Sequence, residues 1–77
     1  MYEPMTVDIT TDEVVGLGRK QFNAHPRIGE WIEIDIDGIG TVFRVVMVGH
    51  SSDGHGSDLY VKRLGRTAEL IQTIKGK

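Results

Sequence analysis

Cysteine is missing altogether from this 77-residue chain, which removes disulfide stapling, thiolate zinc ligation and thiol catalysis together. A small domain without cysteine fits the cytoplasm. Long apolar runs are missing as well: the longest, from Val45 to Val48, is far too short to cross a bilayer, and the acidic start MYEPMTVD has no signal-peptide core. The chain therefore reads as soluble and unexported, with no membrane partner. It has no internal repeat, low-complexity tract or linker, so residues 1–77 are read as one domain. At this length folding buries only about 60% of the surface of the unfolded chain, which leaves room for one thin core.

What is present is ordinary globular material, with 39% hydrophobic and 26% charged residues, enough to argue against disorder. Ten glycines point to many tight turns. The net charge of −2 is unevenly spread: residues 1–38 hold three basic and eight acidic side chains, net −5, and residues 39–77 hold six basic and three acidic, net +3. Strands that interleave would mix the two halves into one surface. Kept apart, the positive half would steer an anionic partner.

The middle of the chain carries the clearest structural signal. In EWIEIDIDGIGTVFRVV, Ile32, Ile34 and Ile36 alternate with Trp31, Glu33 and Asp35, the period of a half-buried strand. Asp37-Gly38 follows, a favoured two-residue hairpin turn because both central residues of a type I′ turn need positive φ. That turn sets Ile36 opposite Ile39, Ile34 opposite Thr41 and Ile32 opposite Phe43, with Val45 and Met47 continuing the apolar face. Val42, Val46 and Val48 point the other way, so the second strand is apolar on both sides and needs cover on both. A third strand, DLYVKRL, follows the loop GHSSDGHGSD. Closure of that loop by His50 and Asp58 would set Met47 opposite Val61, Val48 opposite Tyr60 and Val46 opposite Lys62. The second face would then hold Trp31, Val42, Val46, Val48, Tyr60 and Leu64.

A small sheet covers both faces of a central strand by curling on itself. The expected fold is mainly β: a small antiparallel barrel or strongly curled sheet of about five strands, SH3-like or OB-like, with room for one short terminal helix. MTVDIT reads as a strand, and TDEVVGLGRKQF as either a strand broken by Gly16 and Gly18 or a short helix opened by the capping pair Thr10 and Glu13, the glycines favouring strand or loop. The apolar residues of segment 1–22 are expected to cover the second face. Segment 67–75 reads as a final strand, although Thr67 as N-cap with Leu70, Ile71 and Ile74 on one stripe fits a short helix nearly as well.

Candidate chemistry is sparse. His50, Asp53, His55 and Asp58 are suitable donors for a divalent metal, but they sit in a Gly/Ser-rich segment with no helix to set their geometry. The composition is that of an exposed hairpin loop; no metal or other cofactor is expected, and residues 51–57 should be solvent-exposed. GIGTVFRVV has Phe43 where a phosphate-covering loop has its third glycine, and GLGRK lacks the spacing of a phosphate-binding loop. Ser51, Ser52, His50 and Asp53 are neighbours in one loop, where no third group holds a base in place. Glu33 and Asp35 share the outward face of a strand, where solvation is the default. No catalytic residue is assigned, and the chain is not expected to be an enzyme.

Two functions fit this picture. The first is a small interaction module that binds another protein through a sheet face carrying Trp31, Arg44, Tyr60 and Lys62, since tryptophan, tyrosine and arginine are enriched where binding energy concentrates. The alternative is single-stranded nucleic-acid binding by a small β-barrel, with the rings stacking bases and Arg44, Lys62, Arg63 and Arg66 tracking phosphates. The negative net charge disfavours it.

Overall fold

Asp37 and Gly38 have φ of 52° and 80°, the left-handed pair that a type I′ turn requires. The turn joins β3 (Trp31–Ile36) to β4 (Ile39–His50), and the register runs Ile36↔Ile39, Ile34↔Thr41 and Ile32↔Phe43, as the alternation predicts. The computed structural model describes residues 2–52, 54 and 56–76. Before this hairpin come β1 (Met5–Asp8) and β2 (Val15–Arg19); after it come β5 (Ser57–Arg66) and α1 (Thr67–Lys75).

The strands form one sheet in the order β2-β1-β5-β4-β3. The expected curled five-stranded sheet forms, as a half-barrel. It is mixed, because β1 lies parallel to β5 while every other pairing is antiparallel. Segment 20–30 leads from one edge strand, β2, to the other, β3, and lays Phe22 against the core cluster. The core itself is Ile32, Ile34, Phe43, Val45, Leu59 and Val61, with Leu17, Ile36 and Val48 packed around it. Leu17 reaches it through an irregularity in the β1–β2 pairing, next to Gly18 at φ 86°, a conformation that costs a residue with a Cβ.

Two features differ from the strand pattern. The β4–β5 ladder pairs Val48 with Leu59 and Met47 with Tyr60, and a bulge at Val46 then sets Val45 opposite Val61. The expected partners Met47–Val61, Val48–Tyr60 and Val46–Lys62 are therefore displaced. The extra residue reverses the alternation: Val48 joins the core side, and Met47 turns outward, 49% exposed. Bulges at Val46 and beside Leu64 also add twist, which curls the sheet.

The second difference is the end of the chain. Segment 67–75, read first as a strand, is helical. β5 keeps its pairing with β4 through Gly65 to Arg66, and the following Ala, Glu, Leu, Gln and Lys are strong helix formers. Glu69 in the first turn and Lys75 in the last suit the helix dipole. The N-cap position is taken by Arg66, so Thr67 is the first helical residue; its hydroxyl donates to the Glu33 carboxylate. The helix lies against β4 and β5, and none of its residues is fully buried.

Candidate functional site

Strand alternation and register define the sheet's outer face, opposite the core. Trp31 pairs with Arg44, and Arg44 pairs with Lys62, so the three side chains form one row across β3, β4 and β5. One step toward the β4–β5 loop, Met47 pairs with Tyr60 on the same face. The structure thus brings Trp31, Arg44, Tyr60 and Lys62 together on one surface. Trp31 is 55% exposed, Arg44 and Lys62 are exposed, and Tyr60 is half-buried.

The other end of this face is covered. Val42 is buried yet stands apart from the core cluster, at the end of the sheet where α1 packs on β4 and β5. Glu33, paired with Val42, is held there by Thr67. Residues 1–22 do not provide the expected cover: β1 and β2 extend the sheet sideways, and Leu17 and Phe22 turn to the core side. The short N-terminal strands follow the ladder edge of β5; Leu17 packs on the core, and Val7 pairs with Tyr60 at the margin of the outer face.

The electrostatics of the row are unusual for a sheet. Arg44 and Lys62 are directly opposed, and like charges in that position are destabilising. Among the described residues the ion pair found joins Arg66 to Glu69, and no carboxylate pairs with Arg44 or Lys62. Glu33, the nearest acidic position diagonally, is engaged by Thr67. Along the strands the two cations are flanked by acids, Glu33 and Asp35 on one side and Asp58 on the other, all at outward positions of the alternation.

A second cluster was not legible in the sequence. His25 Nδ1 lies 2.9 Å from the Pro26 carbonyl oxygen and Nε2 lies 2.6 Å from Ser57 Oγ. A carbonyl only accepts, so Nδ1 donates to it, and in the neutral ring Nε2 accepts from the serine hydroxyl. The ring stacks on His50 and meets Tyr2 edge-on, each at 5.9 Å between centroids. Beside it, Tyr2, Asn23, Ala24, His25, Arg27 and Glu30 line an open hollow of about 520 Å³. The contact between His25 and Ser57 ties segment 20–30 to β5. The partners are 32 residues apart, and His25-Pro26 is the one local hint.

Asp53 and His55 lie outside the described residues. Among the described residues no group of three histidines or carboxylates gathers to hold a metal; His50 stacks on His25 and Asp58 pairs across from Gly49. Ser51, Ser52, Gly54 and Gly56 are exposed, as a hairpin loop predicts, whereas Ser57, expected to be exposed with them, opens β5, is half-buried and meets His25. Among the described residues no helix is long and apolar enough to cross a membrane.

Comparison with protein-family models, with curated proteins and with solved structures gives no match.

Proposed function

We propose that this protein is a non-enzymatic interaction module that binds another protein through the uncovered half of its outer sheet face, around Trp31, Arg44, Tyr60 and Lys62. The observation that carries this reading is the cross-strand row Trp31–Arg44–Lys62 beside the Met47–Tyr60 pair. It offers an exposed indole and a thioether next to two cations, on a rigid ladder. Aromatic and arginine anchors of this kind concentrate binding energy when a partner excludes water from them. A fold with a thin core and a short covering helix has little surplus apolar surface to leave open.

Single-stranded nucleic acid would use the same indole and the same cations. The acids Glu33, Asp35 and Asp58 along the strands, together with a net charge of −2, work against a run of phosphates there.

Partner recovery from extracts of the source cells tests the proposal, using the tagged full chain and three variants that keep its circular dichroism spectrum. Trp31→Ala and Tyr60→Ala should lose a stoichiometric, nuclease-resistant protein partner. Ile28→Ala, at an exposed residue in the segment before β3, should keep it. Equal recovery by all three would refute the outer face as the contact surface.

A further inference from the structure

We infer that the Arg44–Lys62 pair is a seat for a single carboxylate, an aspartate or glutamate side chain of the partner, with a neighbouring apolar side chain of that partner resting on Trp31 and Met47. This rests on the proposed outer-face function and names the chemistry of its partner. Two cations stand directly opposed on adjacent antiparallel strands, an arrangement that weakens the sheet, and among the described residues no carboxylate forms an ion pair with either. Local choices that oppose the fold concentrate at functional positions.

The surroundings fix the size of the anion. Opposed side chains on antiparallel strands stand roughly 5 Å apart, so one carboxylate can reach both a guanidinium and an ammonium. A longer run of negative charge along the strands would meet Glu33 and Asp35 at one end and Asp58 at the other. Charge complementarity therefore favours one acidic residue in an otherwise apolar or neutral segment, and disfavours a polyanion. Arg44 supplies a planar fork that suits a carboxylate, and Lys62 a point charge. The exposed indole of Trp31 on one side and the Met47–Tyr60 pair on the other give the flanking side chains an apolar surface.

The test uses the chain's single tryptophan, which lies in the row itself. The folded full chain is titrated with a blocked peptide Ala-Leu-Glu-Leu-Ala, with its Gln and Lys counterparts, and with an oligothymidylate, following Trp31 fluorescence and the backbone amide resonances of Arg44 and Lys62. The Glu peptide should shift all three signals saturably, at least about tenfold more tightly than the Gln peptide, a difference of one charged contact. Arg44→Gln and Lys62→Gln should each erase most of that preference. The same substitutions should leave the melting temperature unchanged or raise it by about one or two degrees, because they remove a like-charge repulsion. Equal binding of the Glu and Gln peptides, with Trp31 still responding, would overturn the carboxylate seat and leave the apolar face reading intact. A silent Trp31 with every peptide would overturn the seat as well. Tighter, steeply salt-dependent binding of the oligothymidylate would replace it with phosphate recognition.

Discussion

Gly40 lies directly beneath the side chain of Glu33: a methyl group at position 40 would stand 2.8 Å from Glu33 Oε2 and 3.2 Å from Thr67 Oγ1. The bare backbone there lets Glu33 meet Thr67 at the start of α1, on the outer face of the sheet. Gly40→Ala should displace that contact and loosen the helix. The expected cost is about 1 kcal/mol, one hydrogen bond to a charged group less what the carboxylate regains from water. Urea unfolding measures it, and a loss of helical circular dichroism at unchanged strand signal would locate it.

The hairpin turn gives a larger effect. Gly38 sits at φ 80°, where a β-branched side chain is strongly disfavoured, so Gly38→Val should destabilise by about 2 kcal/mol or more. Gly38→Asn should cost much less, since asparagine tolerates this region. Equal costs for the two substitutions would show that the turn is not held in this conformation.

Thr6 offers a substitution in the other direction. It is fully buried, and its Oγ1 has no hydrogen-bond partner among the described residues. Thr6→Val keeps the shape and removes the unsatisfied hydroxyl, so the protein should gain about 1 kcal/mol. A loss of stability on thermal unfolding would mean that the hydroxyl is satisfied in solution.

Two aromatic truncations separate core from surface. Phe43 is 1% exposed at the centre of the apolar cluster, and Phe43→Ala should cost about 3–5 kcal/mol, enough to unfold much of a domain this small. Trp31→Ala, on the open face, should cost less than about 1 kcal/mol. A Trp31 cost near that of Phe43 would place the indole under cover in solution.

The β3–β4 hairpin was legible because its information is local: alternating isoleucines, a turn dipeptide, and a register that follows from both. The β4–β5 ladder was not, because a single bulged residue at Val46 reverses which side chains face the core, and no spacing rule marks that valine among its neighbours. Trp31, Arg44, Tyr60 and Lys62 nevertheless fall on one face, since Arg44 precedes the bulge and Tyr60 and Lys62 keep the same parity along β5. Segment 67–75 carried both strand-like and helix-like signals; its strong helix formers decided for helix. Cover of the outer face was assigned to the wrong end of the chain, because apolar content in residues 1–22 does not say which side of a sheet it reaches. The His25–Ser57 contact is purely tertiary.

Photo-cross-linking in living source cells tests the outer face most directly, with a benzophenone amino acid placed at position 47 or at position 28 of the full chain. Met47 is exposed beside Tyr60, and Ile28 is exposed outside the strands. Position 47 should yield one discrete protein adduct, weakened when Arg44→Gln is added, and position 28 should yield none. An adduct from position 28 and not from position 47 would contradict the assignment of this face as the binding surface.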